Sequence, residues 1–241
     1  MLTVKIFADG AKLDVIADMA KNPIIKGFTT NPTLMRKAGI TDYCAFARDA
    51  LSVVHGLPIS FEVFSDDFEE MERQACQIAS WGENVFVKIP ITNTKGEFSG
   101  PLIQRLAKNG VQLNITALLT TNQVQQVAEC LSETTSSFVS VFAGRIADTG
   151  CDPCPIMKRS VELLSFLPRA ELIWASPREV FNVVQANSVG CHVITATNDV
   201  LAKLPLLGKD LDQVSLETVQ MFRRDAEEAA YKIEKHNIVS V

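Results

Sequence analysis

Lys88 is the residue whose type and position could support the most distinctive chemistry in this chain. It lies in the run Val-Phe-Val-Lys-Ile-Pro, residues 85–90, which otherwise has the composition of a buried strand. Taking an ammonium out of water is costly, and burial favours the neutral amine. A neutral amine is a nucleophile for ketones and aldehydes, with which it forms a Schiff base. The simpler alternative is a lysine whose ammonium reaches solvent along the strand end.

Other polar residues lie inside apolar runs, where they need a reason. Glu62 is a carboxylate within Ser-Phe-Glu-Val-Phe, residues 60–64, and a buried carboxylate without a role would be costly. Asn114 and Thr116 alternate within 113–118, so in a strand they point to one face while Ile115 points to the other. Each could instead be a turn residue or a cap. Similar candidates at the ends of predicted strands are Asp9, Thr29, Asn31, Arg145, Ser176 and Arg178.

Eight short runs rich in Val, Ile and Phe predict the strands that would position these side chains. The runs cover residues 4–8, 27–30, 59–63, 85–89, 113–118, 138–142, 171–175 and 192–196. Helical periodicity follows them, most clearly over 68–79, 121–128, 157–164 and 178–186. The strands begin about every 20 to 33 residues, which predicts an α/β fold, a parallel (β/α)8 TIM barrel. A doubly wound open sheet is the alternative, although Asp-Gly-Ala at 9–11 is not the glycine-rich phosphate loop of a nucleotide-binding fold.

The chain is predicted to form one domain over residues 1–241. No linker or internal repeat divides it, and an additional C-terminal helix over about 215–236 is expected to pack on the barrel or on a neighbouring subunit. In a barrel the chemistry lies at the carboxyl ends of the strands. One amine, two carboxylates and several hydrogen-bonding groups would then meet at one mouth.

The composition excludes several function classes. With 23 basic and 28 acidic residues the net charge is −5, and no basic run suited to nucleic acid or an anionic membrane is present. No stretch approaches the roughly 20 apolar residues of a membrane span, and the N-terminus lacks the features of a signal peptide, so we expect a cytoplasmic protein. Cys151 and Cys154 have a metal or redox spacing, but no second ligand pair accompanies them. We therefore expect no metal and no cofactor.

Over nearly its whole length the chain resembles the transaldolase family, Schiff-base enzymes built on a (β/α)8 barrel. The Thr-Thr-Asn-Pro and Lys-Ile-Pro elements are the most specific when they occur together at this separation. The matching segments are Phe-Ala-Asp at 7–9, Gly-Phe-Thr-Thr-Asn-Pro at 27–32, Phe-Glu-Val at 61–63, Val-Lys-Ile-Pro at 87–90, Asn-Ile-Thr at 114–116, Ser-Val-Phe-Ala-Gly-Arg-Ile at 140–146 and Ala-Ser-Pro-Arg at 175–178.

The resemblance implies a role for each matching residue. Lys88 matches the Schiff-base lysine, and Asp9 matches the acid/base that takes the proton of the C4 hydroxyl. Glu62 and Thr116 match the pair that holds the water used to form and hydrolyse the imine. Asn31 and Asn114 match side chains that hydrogen-bond the dihydroxyacetone moiety, and Arg145, Ser176 and Arg178 match the phosphate-binding group. Thr29 and Phe142 are the other substrate-binding residues that the resemblance implies.

The family contains transaldolases, which transfer dihydroxyacetone between sugar phosphates in the pentose phosphate pathway, and smaller fructose 6-phosphate aldolases, which release it. The chain length is nearer to the aldolases, but Glu62 and Phe142 resemble the transaldolase type, where the aldolases have Gln and Tyr. A phenyl at 142 offers no hydroxyl to organise a hydrolytic water. We therefore expect a transaldolase that acts on sugar phosphates and forms a homo-oligomer, with the aldolase and a non-catalytic sugar-phosphate-binding barrel as alternatives.

The sequence departs from the family pattern at three places. Gly10 follows the first-strand aspartate where Thr or Ser is usual, and Thr33 follows Asn-Pro where Ser is common. Pro177-Arg178-Glu179 replaces a more typical Phe-Arg-Asn. A proline there is expected to change the turn beside the phosphate site and to remove an N–H donor.

Overall fold

A computed structural model describes residues 2–233 of the chain. They divide into two compact units, one ending at Ala202 and one beginning at Lys203. The first unit is a closed barrel of eight parallel strands paired in chain order, with β1 closing on β8. The strands are β1 Lys5–Asp9, β2 Ile25–Thr29, β3 Ile59–Glu62, β4 Val85–Pro90, β5 Leu113–Leu118, β6 Ser137–Val141, β7 Ala170–Trp174 and β8 Val193–Thr197.

Helices alternate with the strands. In the first unit they are α1 Leu13–Ala20, α2 Pro32–Lys37, α3 Tyr43–Val53, α4 Phe68–Ala79, α5 Gly100–Lys108, α6 Thr121–Ala128, α7 Ala143–Asp148, α8 Cys154–Leu164, α9 Phe181–Ser188 and α10 Asn198–Leu201. The second unit contains a 3₁₀ turn, Leu204–Leu206, and α11, Leu211–Glu228. None of the helices within residues 2–233 is long and apolar enough to cross a membrane.

Local sequence explains why these helices form where they do. In α4 the side chain of Asp67 accepts a hydrogen bond from the Glu70 N–H, and the acidic residues of the first turn suit the helix dipole. Met71, Ala75 and Ile78 follow at helical spacing and are buried. The α6 helix begins with a reciprocal capping box between Thr120 and Gln123.

Aromatic rings fill part of the barrel interior. The rings of Phe86 and Phe138, each the second residue of its strand, lie 4.3 Å apart, and the Phe7 ring meets Phe138 edge to face at 5.4 Å. A Cβ on Gly27 would come within 2.5 Å of the Phe7 ring, so the missing side chain there makes room for it. Phe86 precedes Lys88 by two residues on β4, so both side chains point to the same face of the strand.

The predicted barrel is confirmed, and the alternative of an open sheet is wrong because β1 pairs with β8. Every predicted strand is present, with bounds within two residues of those expected. The helices over 68–79 and 121–128 have the predicted bounds, whereas α9 begins three residues later than predicted. The predicted C-terminal helix over about 215–236 begins earlier, at Leu211, and ends at Glu228, so the prediction is wrong over 229–233, where Ala230 has a φ of 52°; residues 234–236 lie outside the described residues. The packing of this helix and the single-domain assignment stay predictions.

Candidate active site

One cavity of about 530 Å³ opens at the carboxyl ends of the strands, and all of the site residues predicted from the sequence line it. They come from seven of the eight strands or from the residues that directly follow them. Those residues are Asp9, Thr29, Asn31, Glu62, Lys88, Asn114, Thr116, Phe142, Arg145, Ser176 and Arg178.

Lys88 is the least exposed charged residue among those the structure describes, with 6% of its surface exposed. Its Nζ donates a hydrogen bond to the carbonyl oxygen of Thr30 at 2.9 Å and lies 3.1 Å from Oε2 of Glu62. Glu62 is opposite Lys88 in the register of β3 and β4, so neighbouring strands present the amine and the carboxylate side by side. The buried amine therefore has a carboxylate within proton-transfer distance.

Asp9 is the second carboxylate of the cavity, at the end of β1. The Thr29 hydroxyl donates to its Oδ1 at 2.8 Å, and the Thr195 hydroxyl lies 2.6 Å from that of Thr29. Burial raises the pKa of Asp9, and the charge of Glu62 adds to this, although Lys88 and the hydrogen bonds from Thr29 and Asn31 act in the opposite direction. A raised pKa brings a carboxyl group closer to the range in which it can both accept and return a proton near neutrality.

The two inward-facing polar residues of β5 differ in their contacts. The Asn114 side chain is held on both sides, donating to Ser60 Oγ at 2.9 Å and accepting from Ser140 Oγ at 2.7 Å. Thr116 Oγ1 is buried and has no hydrogen-bond partner among the described residues. Ala117 has a φ of 65°, and the pairing with β6 shifts register between Ile115 and Leu118. Such irregularities of a strand often re-aim side chains beside active sites.

Two guanidinium groups lie across the mouth from Glu62, after β6 and β7, which are three and four strands away from β3 in the closed barrel. Arg178 donates to Asp148 through Nη2 and through Nε, the latter at 2.9 Å, and its Nη1 donates to Ser176 Oγ at 2.9 Å. Arg145 makes no ion pair within 4 Å among the described residues, and its guanidinium carbon lies 5.6 Å from the centre of the Phe142 ring. Hydrogen bonding from Arg178 lowers the pKa of Asp148, and the charge of Arg145 contributes. Arg145 therefore has the more available guanidinium of the two.

The segments that carry these arginines are packed tightly together. A Cβ on Gly144 would lie 1.6 Å from the carbonyl oxygen of Ser176, so only glycine fits at this position. Ser176 itself has a φ of 60°, the left-handed region that is costly for a side chain. The turn that contains Pro177 is closed by Asn182, whose Oδ1 accepts from the N–H of Arg178 at 2.7 Å. The departure from the family pattern thus leaves the arginine at the cavity.

Several residues of the site were not predicted as such from the sequence. Ser140 and Thr195 lie in predicted strands, and the alternation argument that selected Asn114 could have found them. Lys37, at the end of α2, also lines the cavity. The sequence around Asp148 did not mark it, because it is connected to the site only through its ion pair with Arg178, 30 positions away.

One predicted position needs correction. Phe142 was expected on the sixth strand, but β6 ends at Val141 and Phe142 is the N-cap of α7, with φ −82° and ψ 64°. The residue still lines the cavity together with Ser140. Among residues 2–233, no three His, Cys, Asp or Glu side chains are grouped as metal ligands.

In comparisons of sequence, a family model and individual relatives point to the same family. The model of the transaldolase/fructose-6-phosphate aldolase family matches residues 6–239. A probable transaldolase of Thermoanaerobacter sp. (strain X514) is 32% identical over 231 residues, which cover 95% of this chain and 100% of the relative. A probable transaldolase of Dehalococcoides mccartyi is 33% identical over 202 residues, covering 83% of this chain and 90% of the relative.

Solved structures extend the comparison at the level of the fold. A putative lyase/mutase from Burkholderia cenocepacia J2315 aligns with a TM-score of 0.59 and 12% identity, covering 94% of this chain and 86% of the other. A putative dihydrodipicolinate synthase family protein from Coccidioides immitis aligns with a TM-score of 0.57 and 13% identity, covering 81% and 67% of the two chains. At such identities the likeness concerns the fold alone.

Proposed function

Since the chain belongs to the transaldolase/fructose-6-phosphate aldolase family, we propose that it transfers a dihydroxyacetone unit between sugar phosphates through a Schiff base on Lys88. The observation that carries the proposal is the buried amine of Lys88 at 3.1 Å from Glu62, in a cavity that also contains Asp9. The donor would be a ketose phosphate such as fructose 6-phosphate, and the acceptor an aldose phosphate. Both belong to the chemistry of the pentose phosphate pathway.

Imine formation comes first. The Lys88 amine adds to the C2 carbonyl of the ketose, and the resulting carbinolamine loses its hydroxyl as water. Glu62, 3.1 Å from Nζ, is within reach to pass a proton to the departing hydroxyl. The buried hydroxyl of Thr116, without a partner among the described residues, supports the assignment of these two residues to the water of this step. The same groups would serve the reverse reaction, imine hydrolysis.

Carbon–carbon cleavage follows from the imine. Asp9 takes the proton of the C4 hydroxyl, the C3–C4 bond breaks, and its electron pair passes to the iminium nitrogen. An aldose phosphate leaves, and the three-carbon enamine stays on Lys88. The enamine carbon then attacks the aldehyde of the acceptor, and Asp9 returns its proton to the new hydroxyl. A raised pKa, which Asp9 has, suits both directions of this transfer.

Phosphate recognition is assigned to the guanidinium side of the mouth. Arginine matches the geometry of phosphate oxygens, and Arg145 lies beside the ring of Phe142 with no carboxylate within 4 Å among the described residues. Ser176 and Arg178, joined by a hydrogen bond of 2.9 Å, would complete the group. With the phosphate at this position, the carbonyl end of the sugar extends toward Lys88.

The family also includes fructose 6-phosphate aldolases, which would release the dihydroxyacetone to water. We favour transfer because Phe142 brings an apolar ring, without a hydroxyl, to the cavity. Two sequence relatives are named probable transaldolases. Incubation with fructose 6-phosphate, with and without erythrose 4-phosphate, separates the two activities. Transfer predicts that product formation depends on the acceptor, whereas an aldolase releases dihydroxyacetone equally in its absence.

Borohydride trapping tests the imine directly. The wild-type protein is treated with borohydride in the presence of fructose 6-phosphate, and the modified peptide is identified by mass. We expect the added mass on the peptide containing Lys88 and none in Lys88→Met, which fills a similar volume without the amine. Lys158→Met, on the exposed face of α8, is the matched control and should be trapped like the wild type. Turnover of Lys88→Met within about tenfold of wild type, about 1.4 kcal/mol in barrier, would rule out the covalent mechanism.

A further inference from the structure

Glu62 is the last residue of β3, and on one side its backbone has no strand partner within the described part of the chain. β2 pairs with β3 only at Phe28↔Ile59 and Thr29↔Ser60, because the chain turns into α2 at Pro32. Along β3 the backbone groups alternate between the two neighbouring strands: the Val63 N–H donates to Lys88 at 3.2 Å, and the Ser60 carbonyl accepts from Thr30 at 3.2 Å. The N–H and C=O of Glu62 therefore face the side on which β2 has already ended.

The hydroxyl of Tyr43 occupies the position of the missing strand. It accepts a hydrogen bond from the Glu62 N–H at 2.8 Å and donates one to the Glu62 carbonyl at 2.9 Å. One side-chain oxygen thus makes both of the bonds that a neighbouring strand would have made. A phenol can do this because its oxygen is at once a donor and an acceptor.

The ring of Tyr43 is held firmly enough to act as a fixed support. It contacts Phe64, Trp81 and Phe61 edge to face, with ring centres 4.4, 5.7 and 6.2 Å away. Tyr43 is the first residue of α3, whose start is fixed by the Asp42 side chain accepting from the Ala45 N–H at 2.9 Å. Burial raises the pKa of Tyr43, so the hydroxyl keeps the proton that it donates.

We propose that Tyr43 is a positioning residue for Glu62: by clamping both backbone groups of the strand end, it keeps the carboxylate beside the Lys88 amine. This role rests on the proposed function, in which Glu62 manages the water of imine formation. Displacement of a reacting group by 1 Å can cost about 100-fold in rate. Loss of the clamp should therefore slow the steps that use water while leaving phosphate recognition, on the far side of the mouth, intact.

Tyr43→Phe keeps the ring and removes only the hydroxyl. The readout is the exchange of the C2 carbonyl oxygen of fructose 6-phosphate with labelled water, since this exchange requires imine formation and hydrolysis. We expect exchange and kcat to fall by about tenfold or more. KM for fructose 6-phosphate and inhibition by inorganic phosphate should stay within about twofold of wild type, because the arginines are untouched. Exchange at the wild-type rate would overturn the proposal.

A double-mutant cycle tests whether Tyr43 acts through Glu62. In the Glu62→Gln background the carboxylate is already lost, so Tyr43→Phe should have little further effect on exchange. Full additivity of the two changes would also overturn the proposal, because a merely structural role would lower exchange in either background. Phe46→Leu is the matched control. Phe46 lies on α3 with Tyr43, and in the wild type its ring centre is 6.4 Å from that of Phe61. The leucine variant loses this contact and should be less stable without slower exchange.

If Tyr43→Phe does not fold, 4-aminophenylalanine at position 43 provides the second variant, because its amino group can still donate to the Glu62 carbonyl but is a poor acceptor for the Glu62 N–H. We expect exchange to fall by about threefold or more, as for the loss of one hydrogen bond. A folded variant that exchanges at the wild-type rate would contradict the proposal. Borohydride trapping of the wild type separates the two hypotheses: no trapping at Lys88 overturns the proposed function, and the role of Tyr43 with it. Trapping combined with full exchange in Tyr43→Phe overturns the role of Tyr43 alone.

Discussion

Removing the guanidinium of Arg145 should weaken the use of phosphorylated substrates far more than it weakens the fold. Arg145 is exposed and makes no ion pair within 4 Å among the described residues, so its replacement leaves no buried partner behind. Its contact with Phe142 is a cation–π contact at 5.6 Å, of the exposed kind that contributes about 0.5–1 kcal/mol. At about 2–4 °C per kcal/mol for a chain of this size, Arg145→Ala should lower Tm by at most about 4 °C.

The expected loss of activity is larger. A hydrogen bond to a charged group contributes about 1.5–3 kcal/mol, and tenfold in binding corresponds to about 1.4 kcal/mol. Losing one such bond to phosphate should therefore lower kcat/KM for fructose 6-phosphate by about 10- to 150-fold, mainly through KM. Arg178 cannot compensate fully, because two of its nitrogens are already engaged by Asp148. Inorganic phosphate should inhibit Arg145→Ala correspondingly less well.

The assay compares phosphorylated and unphosphorylated donors in the same variant. Steady-state kinetics with fructose 6-phosphate and with fructose, both with an unphosphorylated acceptor such as glyceraldehyde, give the loss that depends on the donor phosphate. Arg159→Ala, whose guanidinium pairs with Glu162 on the surface of α8, is the matched control and should behave like the wild type with both. An equal loss with both donors would show that Arg145 supports the structure of the site and would refute its assignment to phosphate.

Two further predictions concern Asp9 and Phe142. Asp9→Asn should abolish turnover yet raise Tm at neutral pH: the pKa of Asp9 is raised chiefly by burial, so its ionised form is disfavoured in the folded state. The gain in Tm should be full above the raised pKa of Asp9 and shrink as the pH falls through it. Below about pH 4 the carboxyl is neutral in both the folded and the unfolded chain, so the gain should vanish; a gain independent of pH would contradict this assignment. Phe142→Tyr adds a hydroxyl at a half-buried ring of the cavity and should raise the release of free dihydroxyacetone relative to transfer. Both products are measured from fructose 6-phosphate with and without erythrose 4-phosphate, and an unchanged ratio would mean that Phe142 is an ordinary packing residue.

Much of the fold could be predicted because each strand carries its own pattern. Runs such as 113–118 are apolar and bounded by turn residues, and α4 and α6 combine a cap with an amphipathic face, so no long-range information is needed to find them. Boundaries were less certain where tertiary contacts decide them. β6 ends before Phe142 because that residue, with ψ 64°, leaves the extended conformation and starts α7. The start of α9 is preceded by a turn at Arg178, which Asn182 closes from within the helix.

The site was predictable to the extent that its residues interrupt apolar strands. Lys88, Glu62 and Asn114 were found because polar side chains inside such strands are costly without a function. Contacts between distant segments were not predictable. The hydrogen bonds from Tyr43 to Glu62 and from Arg178 to Asp148 join residues 19 and 30 positions apart. They arise only once a helix or a loop has been placed against the barrel, and no local pattern specifies that placement.

The close approach at Gly144 limits how this enzyme could be redesigned. Because a Cβ there would lie 1.6 Å from the Ser176 carbonyl oxygen, a replacement for the segment after β6 must keep glycine at this position unless the segment after β7 moves as well. A replacement that carries a side chain there would push the segment of Arg145 away from that of Ser176 and Arg178. Libraries that aim to change which molecules the cavity accepts should therefore keep position 144 fixed and vary the side chains at the rim of the cavity.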